Sequence, residues 1–139
     1  MPPPDELNRQ STVRDPYGDR DVACVVPGRN CAWCIEPCLQ ALAAIRDAPG
    51  SRLREIIFVD DRSTDDSASI AERFGARILQ GPGRGAAGAR NVGFREAQSP
   101  LVWFVDADCV AEPDALAHLM PHIAIDGVAG VSGSYGIQN

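Results

Sequence analysis

The chain contains no lysine; all 13 of its basic residues are arginines. Chemistry that needs a lysine amine is thereby excluded, including a P-loop grip on phosphate and a Schiff base with a carbonyl substrate. A phosphoacceptor receiver domain would suit an acidic α/β chain, but that family uses a lysine. Positive charge is scarce overall. The net charge of −6 argues against a nucleic-acid partner, because neutralising phosphates needs a basic face. No apolar run is long enough for a membrane span, and no secretory leader pattern is present. The expected location is therefore the cytoplasm, with the membrane surface as the alternative. Cysteines are few and odd in number, five in all. Without a leader they are expected to be free thiols. A chain of 139 residues is one domain at most, large enough for a real core.

What is present is best read from Leu101-Val102-Trp103-Phe104-Val105-Asp106-Ala107-Asp108. A short continuous apolar run reads as a strand buried on both faces. Nothing inside it would welcome a charge, so the two carboxylates belong at its carboxyl end. In open α/β sheets that edge is where ligands bind. Two carboxylates there repel each other unless something positive lies between them. Oxygen ligands favour magnesium or manganese, often shared with substrate phosphates. The competing reading is that Asp106 and Asp108 cap the following turn and helix.

The rest of the chain alternates. Residues 1–20 are polar and proline-bearing, and are expected to form a flexible tail ahead of a folded portion at 21–139. Val22 to Val26 is a buried strand broken by Pro27-Gly28-Arg29-Asn30. Ile35, Cys38, Leu39, Leu42 and Ile45 recur at helical spacing. Ile56 to Val59 is a second strand ending in Asp60-Asp61, and a helix from Asp66 closes at Gly75. Ala76 to Leu79 is a short third strand. A loop at Gly81 to Gly85 leads into a helix from Ala86 to Ala97. After the Leu101 strand, Pro113 opens a helix to His122, and Val128 to Ser132 is expected as a fifth strand. This order predicts an α/β fold, a mainly parallel sheet with helices on both faces.

Cys31, Cys34 and Cys38 have a spacing that would suit zinc or an iron–sulfur cluster, but no fourth ligand lies nearby. The plainer reading makes Cys34 and Cys38 small apolar residues one helical turn apart.

Four segments, in order, resemble the nucleotide-binding half of the family-2 glycosyltransferases, which have the Rossmann-like GT-A fold. They are Val22 to Asn30 with its Pro-x-x-Asn turn, Glu55 to Asp66, the Ala-Arg-Asn helix at Gly88 to Gly93, and the Asp-x-Asp motif at Asp106 to Asp108. The resemblance implies metal-dependent transfer of a sugar from a nucleotide-diphosphate donor to an acceptor hydroxyl, with inversion. It implies a UDP- or GDP-type donor, Mn2+ or Mg2+, and an acceptor that is a saccharide, lipid or protein. Asp61 would accept the imide N–H of a uracil-type base, while Asp60 organises the turn. Pro27, Arg29 and Asn30 would wall the base pocket. Asp106 would lie near ribose and metal, and Asp108 would ligate the metal. Arg84 and Arg90 are the candidates for phosphate contacts, with a structural ion pair as the other reading of Arg90. The chain departs from the family at Arg29, where an aromatic is frequent, at Cys31, where an acid is frequent, and at Arg62, where glycine is common. The family's catalytic base belongs to a later, acceptor-binding half, and no segment here matches it; the sequence is expected to be cut short after the fifth strand. A GT-A-like nucleotidyltransferase and a non-catalytic nucleotide-binding module are the alternatives.

Overall fold

A computed structural model describes residues 20–136. The expected tail lies outside the described residues, apart from Arg20. The chain divides into a main unit, Arg20–Asp114, and a second unit containing the residues from Ala115 onward.

The main unit holds β1 (Val22–Gly28), α1 (Ile35–Asp47), β2 (Leu53–Asp60), α2 (Ser67–Arg73), β3 (Arg77–Gln80), α3 (Ala86–Glu96) and β4 (Leu101–Phe104). The strands form one sheet in the order β3-β2-β1-β4, and every pairing is parallel. β1 and β2 are central. Val22 to Val26 and Ile56 to Val59 are at most 2% exposed, as expected of strands covered on both faces. Right-handed crossovers put α1 and α2 on one face. The connection through α3 runs the other way and puts that helix on the opposite face. The contacts agree: α1 touches β2 and α2, whereas α3 packs across β1, β2 and β3.

Each face has its own apolar layer. Val25, Ile57, Val59 and Ala89 form the layer under α3, with Val92 and Leu79 at its margin. Ile35, Cys38, Leu39, Leu42 and Ile45 are the buried stripe of α1. Helix α3 sits unusually close to the sheet. A Cβ on Gly93 would lie 2.3 Å from Val25 Cγ1, so only glycine fits there.

Two expectations need correction. The Leu101 strand is not buried on both faces. β4 pairs only with β1 among the described residues, so it is an edge strand, and Phe104 is exposed. Local apolarity cannot tell an edge from a centre, because the difference is set by strand order. The fifth strand is also absent: Val128 to Ser132 forms no ladder. Ala129 and Gly130 are weak strand formers, and the segment follows Gly127 at φ +82°. The second unit contains α4 (Ala115–Ile123), which carries Pro121 inside it. Among the described residues, no helix is long and apolar enough to cross a membrane.

Candidate functional site

The order β3-β2-β1-β4 makes the chain reverse its direction of travel across the sheet between β1 and β4. At such a switch point the connections leave the strand ends toward opposite faces, and a crevice opens beyond the carboxyl ends. A cleft of about 420 Å³ lies there. Pro27 and Arg29 come to it from β1, Asp61 from β2, Arg90 from α3, and Asp106 and Asp108 from beyond β4. Trp33, on the turn before α1, lines it and is 82% exposed.

The paired acids after β2 have separate tasks. Asp60 Oδ1 accepts the Ser63 N–H at 2.9 Å and closes its own turn. Asp61 is 2% exposed. Its Oδ1 accepts the Gly83 N–H at 2.6 Å and its Oδ2 the Gly85 N–H at 2.8 Å. The loop before α3 therefore wraps this carboxylate, which also lies near the positive end of the α3 dipole. A Cβ on Gly81 would lie 2.5 Å from Asp61 Oδ1, so the close wrapping needs glycine at 81. Arg62 next to it has φ +64°, a left-handed conformation that side chains disfavour. That explains why a glycine suits this position.

Two of the residues expected in the site do not line the cleft. Asn30, at φ +49°, is occupied in joining two turns. Its Oδ1 accepts the Thr64 N–H at 2.7 Å, and its own N–H donates to Ser63 Oγ at 2.9 Å. Arg84 is exposed on the loop between Gly83 and Gly85. Below these turns, the Cys31 and Ala32 N–H groups donate to Ser67 Oγ at 2.9 Å and Asp65 Oδ2 at 3.1 Å. The Ser67 hydroxyl in turn donates to Asp65, and this holds the Asp65 carboxyl below its usual value. These bonds tie the start of α1 to the start of α2.

At the other wall, Arg90 Nη2 donates to Asp106 Oδ1 at 2.7 Å. A guanidinium thus balances the charge of the Asp106 carboxylate. Neither acid caps a helix among the described residues: Asp106 takes Arg90, and Asp108 Oδ1 faces Cys109 Sγ at 3.7 Å. The Cys109 N–H donates to the Asp106 carbonyl at 3.0 Å, forming a tight turn. One oxygen from each carboxylate and the Cys109 sulfur all lie within 4.8 Å of one another. Among the described residues no other group of His, Cys, Asp or Glu converges in this way; Cys31, Cys34 and Cys38 do not. All five cysteines are free thiols. Burial, then the neighbouring thiols, push Cys38 up to about 12, and its Sγ–H donates to the Asp106 carbonyl at 3.5 Å. Burial, followed by the Asp108 and Asp106 charges, also raises the Cys109 thiol.

Sequence reasoning passed over Trp33 and Cys109. The signals were present: an aromatic in the first strand–helix loop, where Arg29 had displaced the frequent one, and a thiol directly after the Asp-x-Asp motif.

Fold and cleft together define a Rossmann-like α/β protein with acids gathered at a switch point. Glycosyl transferase family 2 matches residues 23–139. The chain belongs to that family, and its fold is the GT-A fold. The succinoglycan biosynthesis protein ExoU of Rhizobium meliloti is 31% identical over 116 residues, covering 78% of this chain and 32% of that protein. An uncharacterized glycosyltransferase of Mycobacterium tuberculosis is 37% identical over 75 residues, covering 52% of this chain and 34% of that one. The chain thus spans about a third of the length of these curated relatives. Among solved structures, glucosyl-3-phosphoglycerate synthase from M. tuberculosis, in complex with Mn2+, UDP and glucosyl-3-phosphoglycerate, superposes with a TM-score of 0.67 at 24% identity. The match covers 78% of this chain and 41% of that one. Residues 1–349 of S. aureus TarS give a TM-score of 0.66 at 26% identity, covering 83% and 38%.

Proposed function

We propose that this chain is the donor-binding part of an inverting glycosyltransferase that takes a nucleotide-diphosphate sugar. The observation that carries the reading is the meeting of Asp61, from the end of β2, with Asp106 and Asp108, from beyond β4, around one cleft. Pro27 and Arg29 form the base-side wall. Asp61 accepts the imide N–H of a UDP-type base. Each of its oxygens already takes one backbone N–H but retains a second lone pair for a ligand. A GDP-type donor would present its N1–H to the same carboxylate. Asn30 serves by holding the wall rather than by touching the base. Arg90, in the cleft wall, supplies positive charge toward the diphosphate and also orients Asp106.

The donor set at Asp106 and Asp108 fits a divalent cation: two carboxylates, one with a free oxygen beside its ion pair, converge within reach of a single ion. When bound, Mn2+ or Mg2+ would stabilise the negative charge developing on the departing diphosphate. The acceptor oxygen bonds to the anomeric carbon as the bond from that carbon to the diphosphate oxygen breaks. A carboxylate base takes the hydroxyl proton. In longer relatives that base is expected in the acceptor-binding half.

Calorimetry with UDP and GDP, each with and without Mn2+ or Mg2+, tests this reading. Metal-dependent heat with one nucleotide is expected, and Asp108→Ala should abolish the metal dependence. No heat with either nucleotide in either metal refutes it.

A further inference from the structure

We propose that Cys109 is a third protein ligand to the cation at Asp106 and Asp108, and that its sulfur makes this site prefer thiophilic cations. The inference rests on the donor-site reading above and adds to it a residue and a metal selectivity.

Three observations carry it. The turn closed by the Cys109 N–H and the Asp106 carbonyl brings residues 106 and 109 together. The three ligand atoms then lie within 4.8 Å of one another. The Cys109 Sγ to Asp108 Oδ1 separation is 3.7 Å. Metal–sulfur and metal–oxygen bonds of about 2.3 and 2.1 Å at a tetrahedral angle span an edge of about 3.6 Å, so this pair needs almost no movement to share one ion. Charge agrees as well. Two carboxylates and a thiolate carry three negative charges, and the Arg90 guanidinium on Asp106 removes one. The net of −2 matches a divalent cation. When the sulfur–metal bond forms, the thiol proton leaves to solvent. Oxygen-only sites favour magnesium and manganese, whereas a thiolate draws zinc and cadmium. A cell rich in free zinc would therefore load this site differently from one that supplies manganese.

The test uses the full chain with Cd2+ and Mn2+ as probes, read without any activity assay. Cadmium bound to thiolate gives an ultraviolet charge-transfer band, and bound Mn2+ is counted by its electron paramagnetic resonance signal. The wild-type chain should show the band at one equivalent of Cd2+, and only a large molar excess of Mn2+ should compete it away. Cys109→Ser should lose the band and weaken Cd2+ binding by at least about tenfold, since even indirect partners of a metal site are worth 10–100-fold. Mn2+ binding to that variant should change by less than about threefold, because hard oxygen ligands dominate its affinity. Cys34→Ser, which removes one of the two thiols, Cys31 and Cys34, that line the cleft, should keep the band. A band that survives Cys109→Ser, or disappears in Cys34→Ser, overturns the assignment. Mn2+ binding without any cadmium–thiolate band also overturns it but leaves the Asp106–Asp108 site standing. Failure to bind either ion would sink both.

Discussion

Asp61→Asn separates holding a loop from holding a ligand. The wild-type carboxylate accepts one N–H from Gly83 and one from Gly85, at 2.6 and 2.8 Å, while 2% exposed. An amide in its place must turn an NH2 group toward one of those two N–H groups. One bond becomes a donor facing a donor. A hydrogen bond to a charged group is worth about 1.5–3 kcal/mol. The second bond survives but weakens, because the acceptor is now neutral. The expected loss is about 2–4 kcal/mol, a large share of the 5–15 kcal/mol that native folds typically possess. For a chain of this size each kcal/mol moves Tm by about 3–5 °C, so a fall of roughly 6–20 °C is expected. Thermal unfolding measures the total. Hydrogen exchange locates it, and the Gly83 and Gly85 amides should lose protection before the β1 and β2 amides do. If Asp61→Asn leaves Tm within about 2 °C of wild type and both loop amides still protected, the carboxylate does not organise the loop, and the reasoning here fails. Were nucleotide affinity alone to fall in that case, Asp61 would be purely a ligand group.

Two further outcomes follow from packing and titration. Gly93→Ala should destabilise by about 1–3 kcal/mol, because its Cβ would lie 2.3 Å from Val25 Cγ1 and α3 must lift from the sheet; urea unfolding with an unshifted midpoint would contradict this. Alkali should also destabilise the fold. Burial raises the Cys24, Cys31 and Cys38 thiols, Cys38 to about 12, so the folded chain keeps protons that the unfolded chain releases. Their contribution is complete below the ordinary thiol value near 8.5 and declines as pH rises toward the folded values, by up to about 1.4 kcal/mol per pH unit for each thiol. Urea midpoints from pH 7 to 10.5 should fall, and a triple variant with alanine at 24, 31 and 38 should flatten that slope; an equally steep slope in the variant would place the effect elsewhere.

Elements with a strong period were legible in the sequence. The stripe of Ile35, Cys38, Leu39, Leu42 and Ile45 repeats as a helix must, and all five side chains are buried. The runs at Val22 and Ile56 read as buried strands and became the two central ones. Where the reading failed, the missing information was not local. Leu101 to Phe104 has the composition of a central strand, yet its neighbours are decided by the strand order β3-β2-β1-β4, which leaves it at an edge. Val128 to Ser132 has two valines and no neighbouring strand to pair with among the described residues, so its weak propensity had no support.

The site divides along the same line. Acids at the tips of strands could be read from apolar runs that stop at Asp60-Asp61 and Asp106, because no sheet interior accepts an unpaired charge. That they face one cleft depends on β1 lying between β2 and β4, which brings the tips of three strands side by side. Which partner each acid holds was hidden, since those partners arrive from far along the chain: Gly83 and Gly85 reach back to Asp61, and Arg90 reaches forward to Asp106. The two grips share one helix. α3 begins at the loop that wraps Asp61 and carries Arg90 on its next turn. A shift of α3 would therefore disturb Asp61 and Asp106 together. Gly93, on the same helix and pressed against Val25, sets how closely α3 approaches the sheet. Gly93→Ala should accordingly weaken nucleotide binding and metal binding in parallel, although residue 93 touches neither ligand site, and a variant that lost one affinity while keeping the other would show that the two ends of the cleft are positioned independently.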